Sequence, residues 1–182
     1  MIQKRTAEEI EILRDNNLLV SKTLGELAAW IVPGATTDKL DSIAYEFISD
    51  HDAKPGFLGY QGYPKSLCTS VNEQVVHGIP SDYELREGDI ISIDCGVYKN
   101  NYYGDSAFTF AVGSISEEKQ KLLDVTMRSL FIGIEKAVEG SRIGDIGYAV
   151  QTYCESNEFS VVRELVGHAL GIILHDAAEA MN

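Results

Sequence analysis

Cysteine and basic side chains are both scarce in this sequence. Only three of the 182 residues are cysteine, at Cys68, Cys95 and Cys154. Their number is odd and their spacing matches no metal site, so reduced cytosolic thiols are expected rather than a disulfide framework. Lys and Arg number 15 against 28 Asp and Glu, which gives a net charge of −13. This balance argues against non-specific binding to DNA or to an anionic membrane.

Long apolar runs are absent as well. Residues 1–12, MIQKRTAEEIEI, lack the apolar segment of a signal peptide, and no run reaches the length of a membrane span. We therefore expect a cytoplasmic protein with no membrane partner. The length suits one domain or two small ones with a substantial core.

Four segments carry apolar residues at helical spacing. Two of them begin at capping-box patterns, in which a Ser or Thr precedes a Glu by three residues. The first predicted helix runs from Thr6–Glu9 to VPG at 32–34, and the second begins at about Asp38. The third runs from Ser114–Glu117 to VEG at 138–140, and a shorter fourth helix follows it and ends at about Asn157.

The sequence also resembles itself at a shift of 106 residues. VPGATTDKLDSIAYEF then falls on VEGSRIGDIGYAVQTY, with Gly34 on Gly140. Chance similarity between two amphipathic helices is the alternative interpretation. If the repeat is real, residues 1–182 form a single truncated domain. Its first unit covers about 6–112 and ends in a hairpin. Its partial second unit, about 114–182, lacks the counterpart of that hairpin.

Residues 92–110, SIDCGVYKNNYYGDSAFTF, predict two strands joined through Lys99–Asn101, with one aspartate in each. A two-residue turn that pairs 98 with 101 places Asp94 directly opposite Asp105, on the face away from the core. Two such carboxylates repel unless a proton or a cation lies between them. Because the Asp-Thr/Ser-Gly motif of acid proteases is absent, bridging divalent metals fit better. Alternatively, one aspartate caps a turn or both face solvent.

Two histidines could extend this set. His77 and His168 each follow an apolar run beside a glycine. Imidazole together with carboxylates favours Mn, Fe, Co or Zn. The alternative is a hydrogen-bonded core histidine. His175, seven residues after His168, adds only weak evidence, because this spacing reverses the side-chain face in a strand.

Three segments, in this order, resemble the bacterial-type (type I) methionine aminopeptidases: GYQGYPKSLCTSVNEQVVHGIP, GDIISIDCGVYKNNYYGDSAFTFAVG and ELVGHALGIILHD. The resemblance implies an α+β, pita-bread (creatinase/aminopeptidase-like) fold, with two pseudo-symmetric halves around two divalent metal ions (Co, Mn, Fe or Zn). The second half is incomplete in this chain. It also implies a metal-dependent hydrolase that removes the N-terminal initiator methionine from nascent proteins when the second residue is small. Such enzymes are monomers and could act close to the ribosome.

The resemblance assigns a role to each matching position. Asp94 resembles the carboxylate that binds one metal ion, Asp105 the carboxylate that bridges both, and His168 the imidazole ligand of the other. His77 resembles the histidine that contacts the substrate near its terminal amine. His175 resembles the second catalytic histidine, which contacts the peptide bond and stabilises the developing charge. The positions that match the pocket around the methionine side chain are Phe57, Tyr60, Tyr63 and Cys68.

The sequence also departs from the family pattern. Two glutamates complete the family's metal site, and neither occurs before Asn182, while GHALG replaces the family's GHGIG. We therefore expect these 182 residues alone to show no measurable dinuclear metal binding and no cleavage of Met-peptides. The alternative function is a catalytically inactive pita-bread binding module, or a half-domain that needs a partner chain. Self-association or complementation through an open sheet edge is then expected.

Overall fold

The computed structural model describes the backbone of residues 4–181 and the side chains of residues 4–175. Within that part of the chain two helices are followed by four strands, and two further helices by two further strands, as in an α+β protein. The helices are α1 (Ala7–Ala28), α2 (Thr37–Asp50), α3 (Glu117–Lys136) and α4 (Ile143–Ser156). The strands are β1 (Lys54–Pro55), β2 (Leu67–Val71), β3 (Ile90–Lys99), β4 (Tyr102–Ala111), β5 (Val166–Ala169) and β6 (Asp176–Met181). None of the described helices has the length and apolar character needed to cross a membrane.

The described chain divides into two compact units. The larger unit contains Lys4–Ile115 together with Leu170–His175, and so holds α1, α2 and the strands β1 to β4. The smaller unit contains Ser116–Ala169 together with β6. In the smaller unit, Val150 and Ile146 of α4 pack against Gly133 of α3.

Helix α1 begins at the predicted capping box. The Thr6 hydroxyl accepts the Glu9 N–H at 3.2 Å, and the Glu9 carboxylate accepts the Thr6 N–H at 2.7 Å. The helix ends at Ala28, before the predicted VPG stop. The Trp30 N–H donates to Leu27 O in a turn, and Pro33 disfavours helical geometry for the residue before it.

The predicted capping box at Ser114 is wrong. Helix α3 starts two residues later, where the Ser116 side chain accepts the Lys119 N–H. The reason lies 27 residues upstream, since the Ser114 N–H donates to the Glu87 carboxylate at 2.6 Å. This contact keeps Ser114 in the preceding turn.

The four-stranded sheet of the larger unit is antiparallel and is built around β3. Strand β4 pairs along one edge of β3, while β2 and β1 pair in succession along the other. The inward face of β3 consists of fully buried apolar residues that join the core with α1 and α2, as the alternation predicts. These residues are Ile91, Ile93, Cys95 and Val97.

The hairpin turn confirms a two-residue loop but corrects its position. Asn100 and Asn101 have φ values of 53° and 65°, so Lys99 pairs with Tyr102. Asparagine tolerates left-handed backbone better than lysine does, and this preference selects Asn-Asn as the loop. Asp94 therefore lies opposite Ala107, and Asp105 lies opposite Gly96. The predicted direct pairing of the two aspartates is wrong, but both remain on one face of the sheet.

The helix pairs of the two units correspond in sequence and in backbone conformation. α2 and α4 each contain 14 residues, and α4 begins 106 residues after α2. Gly34 and Gly140, which precede these helices, have φ values of 88° and 90°. These correspondences support the 106-residue repeat. The division into a first unit at about 6–112 and a partial second unit at about 114–182 stays a prediction, and residues 1–3 and 182 lie outside the described part.

Asn16 of α1 attaches the hairpin to the helix. Its side chain is fully buried, and Nδ2 donates to the carbonyl oxygens of Lys99 and Tyr102 at 2.9 and 2.8 Å. The helix backbone also approaches Gly104 closely, where an added Cβ would lie 2.7 Å from the Asn16 carbonyl carbon. Two carbonyls on either side of the turn therefore depend on one side chain.

We expect Asn16→Ala to lower the free energy of unfolding by about 2–3 kcal/mol, because both carbonyl groups lose their donor in a buried site. Asp15→Ala is the matched control, since Asp15 lies on the exposed side of the same helix turn. Urea unfolding monitored by circular dichroism measures both variants. Equal stabilities of the two variants would contradict the role of Asn16.

Candidate active site

The start of β2 is fixed by a buried carboxylate of α2. Asp41 Oδ1 accepts the backbone N–H groups of Ser66 and Leu67 at 2.8 and 2.9 Å. Burial raises the pKa of Asp41, against the lowering effect of these two hydrogen bonds. Leu67 and Cys68 then pair with Cys95 and Asp94 of β3. Asp41 thereby sets the register that places Cys68 directly beside Asp94.

The two aspartates predicted as metal ligands interact directly. The Asp94 and Asp105 carboxyl groups lie within hydrogen-bonding reach of each other; burial raises the pKa of Asp105, and Asp94 lowers it. The Asp105 backbone N–H donates to Asn17 Oδ1 of α1 at 3.2 Å. Two carboxylates this close need either a proton or a cation between them. The pair therefore suits a divalent cation, to which both would contribute oxygen ligands.

An apolar cluster lies on the same side of the sheet as Asp94, at the positions that the resemblance assigns to the methionine pocket. Its buried members are Phe57, Cys68 and Leu174, with four further side chains packed against them: Tyr60, Tyr63, Tyr103 and Leu170. The structure thus gathers all four residues that the sequence predicted for the methionine pocket. Sequence reasoning missed Tyr103, Leu170 and Leu174. The only signal for Leu174 was its place in the apolar run before His175.

Two features keep this pocket apolar. Burial raises the pKa of Cys68 to about 11, so its sulfur remains an uncharged, polarizable thiol at neutral pH. The Phe57 ring lies over Gly96 of β3, where an added Cβ would come within 2.5 Å of the ring. Glycine at this position of the strand leaves the space that the ring fills.

His77 lies in the loop after β2 and is exposed, with a left-handed φ of 59°. The next residue, Gly78, is held against β2: its carbonyl accepts the Thr69 N–H at 2.7 Å, and its N–H donates to Ser70 Oγ at 3.1 Å. The Tyr63 hydroxyl of the pocket also donates to Gly78 O at 3.2 Å. These bonds attach the His77 backbone to the edge of the pocket. The left-handed conformation costs conformational free energy in a non-glycine residue, and such residues often occur at functional sites.

His175 contacts the same pocket through Tyr60. The Tyr60 hydroxyl and His175 Nδ1 are 3.0 Å apart, and the two rings pack with centroids separated by 5.6 Å. Both residues belong to the larger unit. The second predicted histidine is therefore joined to a predicted pocket residue by a direct hydrogen bond.

His168 lies on β5 in the smaller unit, half-buried, with Nδ1 3.2 Å from the carbonyl oxygen of Ala169. In the β5–β6 pair its backbone is opposite Glu179. Its assignment as a metal ligand stays a prediction. Among the residues that the structure describes, no three His, Cys, Asp or Glu side chains form a metal-binding group.

Comparison with known protein families identifies a metallopeptidase domain. The model of metallopeptidase family M24 matches residues 11–182, so the chain belongs to this family. The chain is 49% identical to the methionine aminopeptidase of Clostridium perfringens, over 100% of this chain and 73% of that protein. It is also 49% identical to methionine aminopeptidase 1 of Bacillus subtilis, over 97% of this chain and 71% of that protein. The predicted resemblance to methionine aminopeptidases is confirmed.

Solved structures agree with this assignment. The methionine aminopeptidase of Rickettsia prowazekii superimposes with a TM-score of 0.98 at 38% identity, covering 100% of this chain and 73% of that one. The prolidase of Pyrococcus furiosus matches with a TM-score of 0.84 at 19% identity, covering 97% of this chain and 51% of that one. The prolidase likeness concerns the fold alone. The predicted pita-bread fold is confirmed.

Proposed function

We propose that the protein is a metal-dependent aminopeptidase that removes the N-terminal methionine from proteins whose second residue is small. One observation carries this proposal: an aromatic cluster that contains the Cys68 thiol adjoins two interacting carboxylates, with Cys68 and Asp94 directly paired across neighbouring strands. An unbranched thioether packs well among aromatic rings and a polarizable sulfur. The pocket thus suits a methionine side chain beside the atoms of its own main chain.

Each group of residues has a distinct part in this reaction. The aromatic side chains and Cys68 bind the methionine side chain and exclude water from it. Asp94 and Asp105 would hold the divalent cations, with His168 as a further ligand. A cation bound there supplies Lewis-acid polarisation of the scissile carbonyl and a water of lowered pKa. His77 contacts the substrate near its terminal amine, and His175 donates a hydrogen bond to the peptide carbonyl as negative charge develops.

Several finer properties belong to the same proposal. The cations are Co, Mn, Fe or Zn, which accept mixed carboxylate and imidazole ligands. The substrates are nascent chains, so the protein acts in the cytoplasm and close to the ribosome. The enzyme is a monomer. Residues 1–182 carry only part of the family's metal ligands, so these residues alone would need self-association or a complementing partner chain to bind two cations and cleave the substrate.

The test is release of methionine from the peptide Met-Ala-Ser by the protein expressed from its own gene, with added Mn²⁺ or Co²⁺. We expect cleavage of Met-Ala-Ser and none of Met-Arg-Ser, and we expect Asp94→Asn to reduce turnover at least about 10³-fold because a ligand of the cation is lost. Mass spectrometry quantifies the shortened peptide.

Asp50→Asn serves as the matched control, since Asp50 is an exposed aspartate at the end of α2. This variant should cleave like the wild type. If the wild type binds Met-Ala-Ser without cleaving it, the proposal fails and the protein is a peptide-binding module instead.

A further inference from the structure

Tyr60 contacts His175, and a residue that only lined the methionine pocket would not need this contact. Its hydroxyl lies 3.0 Å from Nδ1 of His175, and its ring packs against the imidazole at an interplanar angle of 35°. The same ring packs on the apolar cluster that contains Phe57, Cys68 and Leu174. One side chain therefore contacts both the pocket and the histidine.

A neighbouring amide favours one direction for this hydrogen bond. Gln61 Nε2 lies 3.5 Å from the Tyr60 hydroxyl oxygen, and an amide nitrogen can only donate. An N–H donated by Gln61 occupies one lone pair of the hydroxyl oxygen and favours the arrangement in which the hydroxyl hydrogen points to His175 Nδ1, although the second lone pair leaves the reverse direction open. In the favoured arrangement Nδ1 is the acceptor, so the neutral imidazole carries its hydrogen on Nε2.

The backbone holds Gln61 in place for this contact. Gln61 has φ 48° and ψ 28°, a left-handed conformation that costs a side-chain-bearing residue about 1 kcal/mol or more. The turn around it is closed by backbone hydrogen bonds, from the Tyr60 N–H to Phe57 O at 2.9 Å and from the Gly59 N–H to Tyr63 O at 2.8 Å. The strained residue is thus part of a fixed turn rather than a loose loop.

We propose that Tyr60, oriented by Gln61, is a positioning residue that fixes His175 in the tautomer with hydrogen on Nε2. A histidine in this tautomer presents a donor to a carbonyl oxygen, and a donor set in advance stabilises charge as it develops. This consequence for catalysis rests on the proposed function, whereas the tautomer itself does not. Because the Tyr60 ring also lines the pocket, seating of the methionine side chain and orientation of His175 depend on the same residue.

The tautomer can be measured on the 182-residue chain with ¹⁵N-labelled histidine. A two-bond ¹H–¹⁵N correlation spectrum at about pH 8.5, roughly two units above the ordinary histidine pKa of about 6.5, reports which nitrogen carries the hydrogen. His175→Gln identifies the signals of His175 by their absence. The wild type should show the Nε2-protonated form, and Tyr60→Phe should shift the tautomer ratio about fivefold towards Nδ1.

Two further variants make this test specific. Gln61→Asn tolerates left-handed backbone but cannot reach the hydroxyl, so a smaller shift of about twofold is expected. Tyr63→Phe removes a different hydroxyl of the same cluster, which donates to Leu67 O and Gly78 O, and should leave the ratio unchanged. An unchanged ratio in Tyr60→Phe, or an equal shift in Tyr63→Phe, would overturn the proposal.

Kinetics on the active enzyme distinguish a Tyr60 that positions His175 from a Tyr60 that only lines the methionine pocket. Tyr60→Phe should lower kcat about 10-fold with KM changed less than about twofold, the pattern of an interaction gained in the transition state. A raised KM at unchanged kcat would contradict positioning. Failure of the wild type to cleave any Met-peptide would remove the proposed function, while the tautomer measurement would still decide the part played by Tyr60.

Discussion

Gly78→Ala is expected to destabilise the protein by about 3 kcal/mol, at the upper end of overpacking effects. A Cβ at this position would overlap the Thr69 carbonyl oxygen and lie 2.8 Å from the Thr69 carbonyl carbon and 3.0 Å from Ser70 Cα. All three are backbone atoms of β2, which cannot rotate away. The Thr69 N–H to Gly78 O hydrogen bond would be lost as the loop moves off the strand.

The loop that would move carries His77, so the same variant should impair substrate binding as well as stability. Gly25→Ala is the matched control, because no atom lies within 4 Å of its added Cβ and Gly25 lies on the exposed side of α1. Alanine is favoured over glycine in a helix by about 0.5–1 kcal/mol, so this variant should be slightly more stable than the wild type. Urea unfolding of both variants is the measurement. A Gly78→Ala protein as stable as the wild type would show that the loop is not held by β2.

Local sequence patterns predicted the elements of the larger unit well but did not fix their register. The alternation in β3 identified its buried face, and the segment Lys99–Asn101 located the turn to within one residue. The choice between pairing 98 with 101 and pairing 99 with 102 depends on which two residues adopt positive φ. That choice moved Asp105 from opposite Asp94 to opposite Gly96.

Contacts between residues distant in sequence explain what the patterns missed. Ser114 fits a capping box by spacing, yet Glu87 binds its N–H and shifts the helix start to Ser116. Asn16 and Asp41 act on backbone groups of other elements, and no local motif reveals such partners. Each does leave a weak signal, since a polar residue occupies an apolar position of its helix. The pocket residues came from the family resemblance, because no periodicity connects Phe57 with Cys68.

Asp105→Asn is expected to have opposite effects on stability and on activity. The amide keeps the shape of the carboxylate and can donate to Asp94, while it removes one of two neighbouring negative charges, of which the one on Asp105 is partly buried. The free energy of unfolding of the metal-free protein should therefore rise by about 1 kcal/mol. Turnover of Met-Ala-Ser should fall at least about 10³-fold, because a proposed ligand of the cation is lost.

Thermal unfolding with and without Mn²⁺ tests whether the higher stability and the lower activity of Asp105→Asn both result from the loss of one carboxylate charge. In the protein expressed from its own gene, as in the activity test, a cation that binds only the folded wild type raises its Tm by mass action. Asp105→Asn should gain little from the metal and start from a higher Tm without it. Asp50→Asn, at an exposed aspartate, should behave like the wild type in both conditions. A metal-free Asp105→Asn protein that is less stable than the wild type would mean that the Asp94–Asp105 pair is a structural hydrogen bond. In that case the Asp94 and Asp105 carboxylates would not repel each other, and no cation would be needed to offset repulsion.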